Sequence, residues 1–231
     1  MTALPPAAQK AAAVQAMFDR IAPRYDRVNR LLTFNADQRW RKDLVRRLRV
    51  GPDDRVLDLA CGTGDFAMLC RARGAEVVGL DFSRGMLVAA AGRNGHSASW
   101  VQGDGLHLPV ADASFTAAVS GFALRNFVSI QPVFEELARV LKRGSRLGLL
   151  EVDAPRNRAV KFGHGLYFDR IVPVVGGLLS DRKAYQYLPQ SAAYLPPEAE
   201  LLAMLEAAGF SQVRKRSPMF GAIQSITAVR S

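Results

Sequence analysis

Three carboxylates and a glycine-rich turn are the residues of this chain whose types and spacing best fit a binding site. The stretch DLACGTGD places Asp58 just before Gly62 and Gly64, at the end of an apolar run. Asp81 ends the next apolar run and Asp104 follows the third. In an open parallel sheet the ligand lies beyond the carboxyl ends of the strands, where such acids would meet. A carboxylate at the second strand end can accept both ribose hydroxyls, and one at the third can lie near the adenine amine.

The turn itself leaves more than one ligand open. Gly62, Gly64 and Ala67 satisfy a loose GxGxxG/A pattern with Asp81 at a suitable distance, so a dinucleotide is one interpretation. A Walker phosphate loop is excluded because no Gly-Lys-Ser or Gly-Lys-Thr follows. Two observations count against a dinucleotide. Asp58 would place a negative charge close to its diphosphate, and the sequence shows no second mononucleotide-binding half. Each acid alone is compatible with a turn or cap role, but three at successive strand ends favour a cationic nucleoside such as S-adenosylmethionine.

Short apolar runs that alternate with helical stretches predict the elements that position these residues. Near-continuous apolar strands imply a mostly parallel sheet with helices on both faces. Helices are predicted to begin near Asp65, Ser83 and Ser129, and a later helix to end at Gly209. The predicted strands are RVLDLA, EVVGLD, ASWVQGD, FTAAVSG and RLGLLEV, followed by two near residues 210–216 and 222–230.

The two flanking segments have a different character. Val14, Phe18, Ile21 and Tyr25 share one helical face, and a second, basic helix follows, so residues 1–50 are predicted to form a helical cap. Prolines, glycines and aromatic residues interrupt the alternation over residues 153–197, which predicts a helical insertion on the substrate side. We expect residues 1–231 to form a single domain.

Charge and composition narrow the function classes. The net charge is +10, and residues 1–50 hold eleven Lys and Arg against four Asp and Glu. Such a surface suits a membrane or a nucleic acid, or is simply solvated. The two cysteines and three histidines have no metal-ligand spacing, so no metal site is predicted. The uncharged run IVPVVGGLLS is far shorter than the roughly 20 residues of a membrane span, and we expect a cytoplasmic protein.

Several segments resemble known methyltransferases. DLACGTGD, LDFS and GDG look like the motifs of class I methyltransferases, with their Rossmann-like fold. Residues 18–42, 121–126 and 181–191 resemble the bacterial menaquinone and ubiquinone biosynthesis methyltransferase family, and the likeness covers almost the whole chain. There are two departures: the stretch Gly121-Phe122-Ala123 lacks a serine that often contacts the methyl donor, and the usual LKPGG turn is LKRGS.

The resemblance implies S-adenosylmethionine as methyl donor and a reduced, demethylated prenyl quinone as acceptor. Demethylmenaquinol is the first choice, and a benzoquinol of the ubiquinone pathway is the alternative. Arg125 is expected to stabilise the phenolate, and Asn126 to orient the ring oxygen. Tyr185 and Tyr187 are expected to line the acceptor side. The donor-binding residues expected from the likeness are Tyr25, Asn29, Asp58, Gly62, Thr63, Gly64, Asp81, Phe82, Asp104, Gly105 and Gly121.

Other interpretations stay open at this point. The alternative for Arg125 is an ion pair with a helix carboxylate such as Glu135 or Glu136, which would make its role structural. A nucleic-acid methyltransferase would suit the charge, but GFALRN stands where an Asn- or Asp-Pro-Pro-aromatic motif would be, so no nucleic-acid partner is expected. A donor-binding module without activity is the other alternative. For a prenylated acceptor, we expect the basic helices and the apolar segment 166–179 to touch the anionic inner face of the cell membrane.

Overall fold

A computed structural model describes residues 7–95, 97–153 and 190–231 of the chain. Between residues 153 and 190 it also describes the single residues 155, 165, 170, 172, 174, 177, 180, 181, 184 and 187.

In the described part of the chain, seven strands form one sheet in the order β3-β2-β1-β4-β5-β7-β6. Neighbours among β1 to β5 pair in parallel, whereas β7 is antiparallel to both β5 and β6. The prediction of a mostly parallel sheet is therefore confirmed. The strands are β1 Arg55–Leu59, β2 Glu76–Asp81, β3 Ser99–Gln102, β4 Phe115–Gly121, β5 Leu141–Val152, β6 Phe210–Arg216 and β7 Ile223–Arg230.

The strand order creates a cleft beside β1. From β1 the chain builds outward through β2 and β3, and then returns to place β4 on the other side of β1. The connections that leave β1 and β4 therefore run to opposite faces of the sheet, and a crevice opens between their carboxyl ends. This crevice is where the predicted site residues are expected to meet.

Helices cover both faces of the sheet, as expected. On one face Leu44 and Phe66 pack with Val56, and on the other Phe134 and Leu205 belong to a second apolar cluster. Each cluster buries its large side chains almost completely, which is the main stabilising term for this layered architecture. The helices that the structure describes are α1 Ala7–Ile21, α2 Tyr25–Thr33, α3 Ala36–Arg47, α4 Asp65–Arg71, α5 Arg84–Asn94, α6 Gln131–Val140 and α7 Glu198–Ala207.

Three element boundaries differ from the sequence prediction. The basic N-terminal stretch forms two helices rather than one, because Phe34 and Asn35 adopt left-handed φ values of 51° and 59° and turn the chain between α2 and α3. Helix α6 begins at Gln131, two residues after the predicted start near Ser129. Strand β5 begins at Leu141, which pairs with Phe115, so the segment expected to be only a turn joins the sheet.

The predicted insertion at residues 153–197 lies mostly outside the described residues. Its described end contains a 3₁₀ turn, Ala192–Tyr194. That residues 1–231 form a single domain stays a prediction. Within the described part of the chain, no helix is both long and apolar enough to cross a membrane.

Candidate active site

A cavity of about 300 Å³ lies at the carboxyl ends of the parallel strands and is closed on one side by α1. Val14 and Phe18 of α1 line it, although the sequence pattern indicated only that they share a helical face. The structure brings more than half of the predicted site residues to this cavity. Those that line it are Tyr25, Gly62, Asp81, Phe82, Asp104, Gly105, Gly121 and Asn126.

Asp81 is held by backbone amides at the end of β2. The N–H of Gly62 donates to its Oδ2 at 2.8 Å, and the N–H of Ser83 donates to its Oδ1 at 2.8 Å. Burial raises the pKa of Asp81 to about 6, and the backbone N–H donors oppose part of that rise. The carboxylate is thus fixed in orientation, with a small exposed fraction that faces the cavity.

The two glycines of the turn have different surroundings. Gly62 has φ +55°, and a Cβ on it would meet no heavy atom within 4 Å. Gly64 has φ +88°, and a Cβ on it would lie 2.7 Å from Cη2 of Trp100 and 2.8 Å from Nδ2 of Asn94. Gly62 therefore leaves room in the cavity for a ligand, whereas Gly64 lets neighbouring side chains approach the backbone closely.

Asp104 and Gly105 form the cavity edge after β3. Oδ1 of Asp104 accepts a hydrogen bond from the N–H of Leu106 at 3.0 Å, which makes a tight turn. A Cβ on Gly105 would lie 2.6 Å from Cε1 of Phe127, another residue of the cavity wall. This edge is narrow because a side chain at residue 105 would displace that ring.

Three predicted donor-binding residues lie behind the turn and do not line the cavity. Asp58 is 1% exposed, and its Oδ2 accepts the N–H of Ala67 at 2.9 Å in the first turn of α4. Burial raises the pKa of Asp58 to about 7. Thr63 donates its hydroxyl to Oδ1 of Asp26 at 2.5 Å, and Gly64 precedes α4. A direct role for these three residues stays a prediction.

Helix α1 is hydrogen-bonded to the residues that follow β2. Nε2 of Gln15 donates to the carbonyl of Phe82 at 2.9 Å, and Oδ1 of Asp19 accepts the Ser83 hydroxyl at 2.6 Å. Tyr25 lines the cavity, whereas Asn29 does not. Burial raises the pKa of Tyr25. The cap thus forms part of the cavity wall.

Lys10 makes a second contact between α1 and the rest of the protein, and the sequence interpretation missed it. Its residue surface is 4% exposed, and Nζ donates to the carbonyl of Phe127 at 2.5 Å while lying 3.6 Å from the centre of the Tyr194 ring. Burial lowers the pKa of Lys10 to about 8. The sequence does contain a signal that singles out this residue, because Lys10 is the only charged side chain among the first eighteen residues.

Arg125 lies beside the cavity and does not line it. It is 6% exposed, its Nη1 pairs with Oε1 of Glu151, and its Nε donates to Oγ of Ser191 at 3.1 Å. The alternative pairing with Glu135 or Glu136 is wrong. Glu151 was overlooked, although it is an acid at the end of an apolar strand, the same signal that selected the other three carboxylates.

Asn126 and Tyr187 meet on the acceptor side. The Tyr187 hydroxyl donates to Oδ1 of Asn126 at 3.3 Å, and Asn126 lines the cavity. Burial raises the pKa of Tyr187 to about 12, and the positive charge of Arg125 opposes that rise. Tyr185 lies outside the described residues. Across the described residues, no group of three or more His, Cys, Asp or Glu is placed to hold a metal ion.

Comparison with protein families identifies relatives over nearly the full length. The model of the ubiE/COQ5 methyltransferase family matches residues 7–230. A demethylmenaquinone methyltransferase of Roseiflexus sp. is 41% identical, with 99% of this chain and 98% of the relative covered. Another, from Thermus thermophilus, is 44% identical over 89% of this chain and 96% of the relative. A ubiquinone/menaquinone biosynthesis C-methyltransferase UbiE of Syntrophotalea carbinolica is 41% identical over 93% of each chain.

Solved structures share the fold. Phosphoethanolamine N-methyltransferase 2 of Haemonchus contortus, in complex with S-adenosyl-L-methionine, superposes with a TM-score of 0.63 at 15% identity. The match covers 82% of this chain and 52% of that chain. At that identity the likeness supports the class I methyltransferase fold alone, and it agrees with the strand order of the sheet.

Proposed function

Because this chain belongs to the ubiE/COQ5 methyltransferase family, we propose that it transfers a methyl group from S-adenosylmethionine to a ring carbon of demethylmenaquinol. The observation that carries the proposal is the meeting of Gly62, Asp81 and Asp104 in one cavity with Asn126 on its other side. The demethylmenaquinone methyltransferases among its relatives support the choice of acceptor.

The cavity fits the proposed donor. Gly62 leaves open space where any side chain would intrude, and the carboxylate of Asp81 is held at the second strand end, where it can accept the ribose hydroxyls. Asp104 and Gly105 would border the adenine, and Phe82 would pack against it. When bound, S-adenosylmethionine supplies an electrophilic methyl group on a sulfonium.

On the acceptor side the cation of Arg125 opposes the cost that burial places on a phenolate. A quinol that loses a phenolic proton carries more electron density on the neighbouring ring carbon, so stabilising that anion promotes attack by the carbon. Burial raises the pKa of Tyr187 and of Tyr25, and the positive charge of Arg125 opposes part of each rise. A quinol hydroxyl lying between these two phenols would feel the same charge, and Asn126 would hydrogen-bond to its oxygen.

Transfer of a labelled methyl group to demethylmenaquinol is the direct test. We expect the wild-type protein to be active and Asn126→Ala to lose at least tenfold in kcat with a stable fold, since one oriented hydrogen bond is removed. A wild type that is inert on every quinol but binds the donor would instead indicate a non-catalytic module. Label incorporated into tRNA or rRNA would indicate a nucleic-acid methyltransferase.

The benzoquinol of the ubiquinone pathway is the alternative acceptor, and the relative from Syntrophotalea carbinolica carries both pathways in its name. Parallel assays with demethylated naphthoquinol and benzoquinol at equal tail length decide between them. A preference for the benzoquinol in kcat/KM would overturn the choice made here.

Peripheral contact with an anionic membrane surface belongs to the same proposal, because a prenylated acceptor resides in the bilayer. Phe34 is 80% exposed and Phe220 is 84% exposed. Phe34 lies between Arg30 and Gln38, which both bind Asp65 at the carboxyl end of β1. Phe220 is close in sequence to Ala222, whose carbonyl accepts the N–H of Asp153, so it lies at the carboxyl end of β5. Both aromatics therefore lie at the edge of the sheet that holds the cavity.

Vesicle flotation tests this contact. Residues 1–50 hold eleven Lys and Arg against four acids, and this excess of positive charge would attract anionic headgroups, while the aromatic rings enter the interface. We expect salt-sensitive binding to anionic vesicles that the double variant Phe34→Ser and Phe220→Ser weakens. Val88→Ser is the control, because Val88 is 65% exposed but lies on α5. Equal binding by all variants would contradict the proposed surface.

A further inference from the structure

Arg41 is a buried cation that has no hydrogen-bonded carboxylate partner for its Nε among the described residues. Its side chain is 11% exposed, and among the described residues its Nε has no hydrogen-bond partner. The nearest carboxylate oxygens, on Asp37 and Asp65, lie 4.0 Å and 3.9 Å from Nε. These distances exceed the range of a hydrogen bond. A buried donor without a partner is costly, so a function for Arg41 is expected.

The two neighbouring acids have hydrogen-bond donors that lie closer than Arg41, although the charge of Arg41 helps to lower the pKa of Asp65. Asp37 accepts the Thr33 hydroxyl at 2.7 Å and Nε2 of Gln38 at 3.0 Å. Asp65 is bonded at shorter range by Arg30, Gln38 and Arg93, at 3.0, 2.8 and 2.7 Å. Both carboxylates are therefore satisfied by closer donors.

The guanidinium of Arg41 lies against the cavity floor. Its carbon is 4.8 Å from the centre of the Phe66 ring and 5.3 Å from that of Phe122, so two aromatic rings hold it. Its Nη1 is 2.6 Å from the position that a Cβ on Gly121 would occupy. Gly121 and Phe122 both line the cavity, at the end of β4 and close to the glycine turn.

We propose that Arg41 binds the carboxylate of the methionine moiety of S-adenosylmethionine, an inference that rests on the proposed function. The adenosine would occupy the acidic side near Asp81 and Asp104, so the amino-acid end extends toward β4, where a carboxylate needs a cation. The guanidinium offers paired N–H donors that match a carboxylate.

Among the residues that the structure describes, three other cations near the cavity are already engaged. Arg125 pairs with Glu151, Arg93 pairs with Asp26 and Asp65, and Lys10 donates to a backbone carbonyl. Arg41 is buried, its Nε–H has no hydrogen-bond partner among the described residues, and it lies behind Gly121 and Phe122 of the cavity wall without lining the cavity itself. Asp58 lies behind the turn and adds to the local negative charge, so a purely charge-balancing role is the rival explanation that the test must separate.

Calorimetry with two nucleosides makes the test. The probes are S-adenosylmethionine and its decarboxylated analogue, which has the same sulfonium and adenosine but no carboxylate. We expect wild type to prefer S-adenosylmethionine, and Arg41→Gln to lose about 10- to 100-fold in affinity for it while the affinity for the analogue changes by less than about twofold. Arg41→Lys keeps a cation and should retain part of the preference. Arg39→Gln, at an exposed position on α3, is the control.

The outcomes are distinguishable. If Arg41→Gln weakens both nucleosides equally, or neither, the charge-balancing explanation holds and the inference is overturned. If Arg41→Gln does not fold, the ratio of the two dissociation constants in Arg41→Lys decides, and an unchanged ratio overturns it. If wild type binds neither nucleoside, the proposed function itself fails, and the inference fails with it.

Discussion

The donor side and the acceptor side of the cavity are built in different ways. On the donor side Asp58, Asp81 and Asp104 each accept a hydrogen bond from a backbone N–H. On the acceptor side the contacts join side chains distant in sequence: Arg125 and Ser191 are 66 residues apart, and Tyr187 and Asn126 are 61 apart. Backbone amides are available at any position other than proline, whereas a side-chain pair requires both partners. The donor side should therefore tolerate change better than the acceptor side.

The largest effect is expected at the buried ion pair of the acceptor side. Glu151→Gln leaves the guanidinium of Arg125 buried without its carboxylate, because both side chains are at most 7% exposed. We expect the free energy of unfolding in urea to fall by about 3–5 kcal/mol. Glu76→Gln is the control, since the Arg55–Glu76 pair is 44% and 65% exposed and should contribute less than about 1 kcal/mol. Equal losses in the two variants would contradict the comparison.

The donor side is expected to show its main effect in pH dependence. Burial raises the folded pKa of Asp81 from 3.8 to about 6. Between these values the folded protein binds more protons than the unfolded chain, so this group lowers stability as pH rises from about 4 to about 6. A rise of the pKa from 3.8 to about 6 corresponds to roughly 3 kcal/mol.

Asp81→Asn should remove that part of the pH dependence. Urea unfolding of wild type and variant between pH 4 and 7 measures it, and parallel curves would mean that the carboxylate is well hydrated. Donor affinity should change in the opposite direction in wild type: it should rise through pH 6, because the ionised carboxylate is the better acceptor for ribose hydroxyls.

The difference between local backbone contacts and long-range side-chain contacts also explains which parts of the site could be predicted from the sequence. The glycine turn, Asp81 and Asp104 were identified because a strand end and the turn after it are local features. Arg125 was recognised, but its partner was wrong, because packing of β5 against the 3₁₀ turn at residues 124–126 decides which acid lies beside it. Lys10 is marked in the sequence as an isolated charge, but its contact cannot be predicted, since Phe127 lies more than 100 positions away along the chain.

The two glycines sharpen the comparison within the donor side. Gly64→Ala places a Cβ 2.7 Å from Trp100 in a backbone with φ +88°, and we expect a loss of about 2 kcal/mol in the free energy of unfolding. Gly62→Ala has open space around it and should lose only about 1 kcal/mol. Gly62→Ala should instead weaken S-adenosylmethionine binding more than Gly64→Ala does, because its methyl group enters the cavity. The reverse order of affinities would mean that the ligand lies elsewhere.

The smallest effect is expected at Lys10. Its contact is long-range, as on the acceptor side, but its partner is a backbone group, as on the donor side. Lys10→Met keeps the apolar length of the chain but removes the donor to Phe127 and the cation near Tyr194. Removal of a buried ammonium offsets part of that loss, so we expect stability to change by less than about 1 kcal/mol at pH 7. Lys42→Met, on the exposed side of α3, should change stability by less than about 0.5 kcal/mol.

The pH dependence of Lys10→Met separates a buried ammonium from a hydrated one. Burial lowers the folded pKa of Lys10 from 10.5 to about 8, so between these values the unfolded chain binds the proton that the folded protein has released. Wild-type stability should therefore rise relative to Lys10→Met as pH increases from 8 to 10.5. Urea unfolding at pH 7, 8.5 and 10 measures the difference. A constant difference across these pH values would show that water reaches the ammonium, and that α1 is held against the cavity by apolar packing and by its contacts with Phe82 and Ser83.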